Sequence, residues 1–136
     1  DRPNLKLPIH VRFRLEEIFR AYIFGLWLSV LALSRSLLEY CLLDNLHKFK
    51  IEPNWQDRDG RSRDKKLSHL IDEMAEHLPG IHEPMSQLRE FGNDYLHPKK
   101  TRMSKEMLFR RQEDAFRAVE MLPEVIEALY QGKQES

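Results

Sequence analysis

The chain has 136 residues, about one domain, and its 41% apolar and 32% charged residues suit a globular core with a well-solvated exterior. The 22 Lys and Arg balance the 22 Asp and Glu, which excludes a global field drawing the chain to nucleic acid or membrane and leaves such affinity to local patches. The single Cys41 excludes an intrachain disulfide and a cysteine zinc cluster, and it suits a reducing, cytoplasmic setting.

Strand signals are nearly absent, with five glycines and no alternating runs, whereas helical periodicity recurs along the chain. An extended leader is expected over residues 1–9, then a first helix from about Val11 to Arg20. The longest apolar run, Ala21 to Leu33, is too short to cross a bilayer and lacks the small-residue cleavage site of a signal peptide. It is expected to be a buried helix, with no membrane partner. That second, long central helix runs from about Tyr22 to Phe49, with Gly25 bending it or meeting a neighbour closely.

Residues 50–66, containing IEPNWQDRDGRSRDKK, read as a mobile polar loop without an apolar stripe. A third helix spans Leu67 to Leu78. A fourth begins near His82 and stops before Pro98, whose ring disfavours helix in the residue ahead of it. Residues 99–103 form a connector, and Ser104 is placed to cap the last helix. There Leu108, Ala115, Leu122 and Leu129 recur every seventh position, joined by Phe109, Phe116, Val119, Val125 and Ile126 in a wide core-facing band. Pro123 should kink this helix without ending the pattern. The expected fold is a single all-α bundle of about five helices, with one long central helix and a long C-terminal helix. A start at Asp1 rather than methionine is what a piece of a longer protein would show.

Two features carry chemistry. Arg35 and Glu39 lie four residues apart in an otherwise apolar helix, on one face, where they can form a partly buried pair. In LREFGNDYLHP, residues 88–98, the residues Arg89, Asn93 and His97 form an i, i+4, i+8 series. At about 100° per residue they project from one side of the helix. Gly92 costs a helix interior up to about 1 kcal/mol relative to alanine, so a close neighbour is expected against it. On chemistry alone, Asn93 and His97 serve equally well as satisfied core polar groups locked to Arg35, Glu39 or backbone carbonyls.

The combination of ALSRSLLE on the long helix with LREFGNDYLHP on a later one resembles the HEPN superfamily (higher eukaryotes and prokaryotes nucleotide-binding). It is most similar to a bacterial branch of unknown function often appended to restriction-enzyme subunits and defence proteins. The similarity runs from about Ala21 to Tyr130. It implies a helical bundle that forms two-fold homodimers. In active members of the superfamily an arginine and a histidine from each subunit line a cleft at the dimer interface and cut RNA without metal. Carried onto this chain, those roles fall to Arg89 and His97, with Asn93 orienting the imidazole or the phosphate. A histidine near neutral pKa can exchange a proton with the ribose 2′-hydroxyl or the leaving oxygen, and an arginine can grip the phosphate bidentately. Arg35, Glu39 and Gly92 would then organise the motif. The nuclease form sets arginine and histidine closer together, however, whereas seven residues intervene here and Glu90 follows Arg89. The glycine-asparagine form is that of the branch of unknown function.

Other groupings are weaker. His69, Glu73 and His77 share a helix face but span about 12 Å, too far for all three to hold one zinc ion. Two of them could bind a metal with help from elsewhere, but a solvated face is the expectation, and neither metal nor cofactor is expected. Lys99, Lys100, Arg102 and Lys105 follow the motif and would suit a phosphate backbone. Arg58, Arg61, Arg63, Lys65 and Lys66 are diluted by aspartates. Trp55 is expected to anchor its loop to the bundle rather than to stack a base. The leading expectation is a dimerising accessory module associated with nucleic acid (RNA or DNA) or nucleotide binding, in a bacterial defence or restriction system, acting with a larger parent protein or a partner subunit. The alternatives are a metal-independent endoribonuclease using Arg89 and His97, and a purely structural interaction domain.

Overall fold

The computed structural model describes residues 6–96 and 105–131. Five α-helices account for most of them: α1 (Ile9–Ile23), α2 (Trp27–Asn45), α3 (Leu67–His77), α4 (His82–Leu96) and α5 (Lys105–Gln131). Short 3-10 turns follow α2 (Leu46–Phe49) and precede α4 (Pro79–Ile81). The fold is the all-α bundle expected from the periodicity. No helix among the described residues is long and apolar enough to cross a membrane.

The apolar run forms two helices rather than one bent helix. Gly25 takes φ +75°, a left-handed conformation that glycine enters without a side-chain penalty. Its N–H donates to the Tyr22 carbonyl at 3.0 Å and that of Leu26 to Ala21 at 2.8 Å, the paired bonds of a Schellman stop. Tyr22 and Ile23 therefore belong to α1. The same wiring ends the turn after α2, where Ile51 N–H reaches the Leu46 carbonyl and Lys50, at φ 57°, stands where glycine is usual.

Centrally placed α2 packs on α1, α4 and α5. Its buried side presents Val30, Leu31, Leu37, Leu38, Cys41 and Leu42. Opposite lies the inner stripe of α5, where Ala115, Ala118, Leu122, Val125, Ile126 and Leu129 are wholly buried and recur at three- and four-residue steps. That stripe is narrower than the expected band. Phe109 is 84% exposed and Phe116 46% exposed, the latter because it lies about 100° around the helix from the buried Ala115. The side chain of Leu108 lies outside the described residues. The helix continues unbroken past Pro123.

The expected loop over residues 50–66 contains a second difference. Strands β1 (Asn54–Gln56) and β2 (Ser62–Asp64) pair antiparallel, with Asn54 opposite Asp64, Trp55 opposite Arg63 and Gln56 opposite Ser62. The signal is hard to read because the strands carry no apolar alternation, and all six residues are exposed. The turn is closed by an aspartate side chain rather than by a core.

Candidate functional site

The two motifs singled out in the sequence meet where α2 crosses α4. Gly92 is buried there, and a Cβ added to it would lie 2.7 Å from Cβ and 2.9 Å from Cγ of Arg35, closer than atoms pack. Glycine is thus the residue that lets the arginine stem cross α4. Beyond the crossing, Arg35 Nε donates to Asn93 Oδ1 at 3.1 Å. A guanidinium nitrogen also lies 3.9 Å from a Glu39 carboxylate oxygen, with the two side chains 27% and 45% exposed. That distance and wetness make the ion pair weak, whereas the bond to Asn93 is a charged donor on a neutral acceptor in a partly dry setting. The principal partner of Arg35 is therefore on another helix, fifty-eight residues away in the chain.

Arg89, one turn before Asn93 on α4, is half-buried, and Glu90 beside it is exposed. Among the described residues no carboxylate pairs with Arg89. His97, Lys99, Lys100 and Arg102 lie outside the described residues, as does the side chain of Lys105, whose backbone opens α5. The structure thus brings Arg35, Glu39, Gly92 and Asn93 together and sets Arg89 on the adjoining turn.

Residues not singled out in the sequence brace this arrangement. Tyr95 O–H donates to Asp114 at 2.8 Å, tying α4 to α5. Its phenol is held in the neutral form, first by burial and then by that carboxylate. At the other end of the bundle Tyr130 O–H donates to Asp44 at 2.6 Å, and Lys48 Nζ donates to the Leu129 carbonyl at 2.6 Å. Lys48 thereby caps the last turn of α5, which has no basic residue of its own there. Burial pushes the Cys41 thiol up to about 12, partly offset by a hydrogen bond with Tyr130. A further polar contact joins His10 on α1 to the Tyr40 hydroxyl on α2, with the Arg14 guanidinium 4.6 Å from the Tyr40 ring.

The histidine-glutamate face on α3 is engaged in packing and pairing. Glu73 accepts from Lys65 at 2.7 Å and lies 3.3 Å from His69, while the His77 ring rests on Phe49. Among the described residues no three such side chains converge as a metal site. Trp55 departs from expectation. It lies 49% exposed on β1, a strand whose backbone stays away from the helices, so any anchoring is at most partial.

Comparison with protein-family models, with curated proteins and with solved structures finds no match in any of the three.

Proposed function

We propose that the chain is a dimerising accessory module that binds nucleic acid through the exposed side of α4 and does not cleave it. The observation that carries this reading is the Arg35–Asn93 bond over Gly92. For catalysis, Asn93 would direct its oxygen at an imidazole N–H to set a proton-transfer geometry. Here that oxygen is directed at Arg35, so the motif acts first as a strut between α2 and α4. The amide nitrogen of Asn93 and the guanidinium of Arg89 are the donors left for phosphate oxygens, which suits binding.

Dimerisation is supported by the corner between α1 and α2. Ile23, Phe24 and Leu26 are exposed there beside the Tyr22 ring, whose centroid lies 5.3 Å from that of Trp27 and 6.2 Å from that of Phe116 on α5. A contiguous apolar patch of this kind marks a protein contact.

Incubation with single-stranded RNA in EDTA tests both parts. The expected result is salt-dependent binding without cleavage, weakened by Arg89→Ala, from a dimer that Phe24→Glu converts to monomer in sedimentation. Products with 2′,3′-cyclic phosphate ends, lost in His97→Ala, would establish the endoribonuclease instead. Absence of binding, together with a melting temperature lowered by His97→Ala, would leave a structural interaction domain.

A further inference from the structure

The β1–β2 hairpin stands apart from the bundle. Both strands are exposed along their length, and their backbone stays away from the helices, although Asp64 at the base of the hairpin shares a cleft with Glu39 and Leu43 of α2. A two-stranded ribbon without a covered face is marginally stable in water, yet this one is tightly wired. Asp57 Oδ1 accepts from the backbone N–H of Asp59 and of Arg61, each at 2.9 Å, and Oδ2 accepts from Arg63 Nε at 2.9 Å. Asn54 donates to the Ser62 hydroxyl at 3.0 Å. At the base, Lys65 N–H reaches the Pro53 carbonyl at 2.9 Å, and Lys65 Nζ grips Glu73 of α3.

This wiring decides what the ribbon displays. Trp55 and Arg63 are cross-strand partners and share one face, while Asn54 and Asp64 lie on the other. The Asp57 carboxylate is turned into the loop backbone and pinned to Arg63 by one nitrogen, which leaves the terminal nitrogens of that guanidinium for a ligand. Arg58 and Arg61 at the turn and Lys66 at the base are all exposed. A half-exposed indole thus stands beside a guanidinium held in a set orientation.

From this geometry we infer that the hairpin is a wing for single-stranded nucleic acid, stacking an unpaired base on Trp55 while Arg61 and Arg63 contact the flanking phosphates. A planar apolar ring next to oriented cations fits a base joined to a phosphate. The duplex form is excluded from this role, because its bases are already stacked on one another. The inference rests on the nucleic-acid reading above and extends it to a second surface, remote in the chain from α4.

The test is anisotropy of labelled oligouridine and oligothymidine with the full chain. Trp55→Ala should weaken binding roughly 10-fold, with Trp55→Phe retaining most of it. Arg61→Ser should flatten the salt dependence by about 0.7 in log–log slope. Helical circular dichroism and melting temperature should stay close to wild-type values, since both strands are exposed. If these variants bind as wild type while Arg89→Ala does not, the wing is wrong and the α4 surface stands. If neither oligonucleotide binds at any salt, both readings fall. Trp55-dependent binding of polyglutamate with no oligonucleotide binding would make the hairpin a protein-docking arm and overturn the proposal.

Discussion

Ser34 is buried in α2, and its hydroxyl has no partner among the described residues. A buried unpaired hydroxyl carries a desolvation cost of about 1–3 kcal/mol, and alanine is the better helix former. Ser34→Ala is expected to raise unfolding free energy in urea by about 1 kcal/mol. Gly92 makes the opposite case. Alanine there would gain up to about 1 kcal/mol of helix propensity, but its Cβ would overlap the Arg35 stem near the α2 backbone, where little can yield. Overpacking of that kind costs about 1–3 kcal/mol, so Gly92→Ala should destabilise by roughly 1 kcal/mol, and the same substitution should be far better tolerated beside Arg35→Ala. The close approach at Gly92 was legible from the sequence, since glycine in a helix interior needs a reason. That the arginine would favour Asn93 over the nearer-in-sequence Glu39 was not legible, because the choice depends on how α2 and α4 cross.

Among the elements, the hairpin depends most visibly on a single ionisable group. Arg63, and then the backbone N–H of Arg61, hold the Asp57 carboxyl below the usual carboxylate range. A depressed folded-state pKa contributes stability that is present above the unfolded value, about 3.9, and lost as pH falls through the folded one. Amide resonances of residues 54–64 should therefore hold their positions down to about pH 4 and collapse below it, ahead of the helices. Asp57→Asn should leave those resonances dispersed less at neutral pH and nearly insensitive to acid. Nothing in WQDRDGRSR alternates apolar with polar, so the strands were invisible to periodicity. The Asp-x-x-Gly turn was present in the sequence, but its weight came from side-chain bonds that spacing does not encode. The break at Gly25 was equally hidden, because a glycine in an apolar run is compatible with a bend, a contact or a stop, and only the reversal of α2 against α1 chooses among them.

For the molecule as a whole, helix count, order and core were read well from the 3.6-residue pattern, since burial of one stripe per helix is the dominant stabilising effect. The same pattern misplaced Phe109 and Phe116, because a band that looks wide in sequence can face two surfaces. The core also sets the alkaline limit of the fold. Cys41 is raised to about 12 against about 8.5 for an unfolded thiol, and Tyr95 and Tyr130 are raised as well. Groups raised in the folded state contribute stability that is complete below their unfolded pKa and lost above it. Urea stability should be level through neutral pH and decline from about pH 9, and in Cys41→Ala the decline should begin nearer pH 10. The native thiol should react with a disulfide reagent only at the rate at which the bundle opens.

The clasp of Lys48 and Asp44 on Leu129 and Tyr130 joins residues more than eighty positions apart, and it has a consequence in time. On the ribosome α2 emerges long before α5, whose inner stripe covers it. Through that interval the nascent chain carries a leucine-rich helix without its lid, a state open to capture by chaperones or by another copy. A truncation that ends ahead of Ala115 removes the whole stripe and makes this interval permanent.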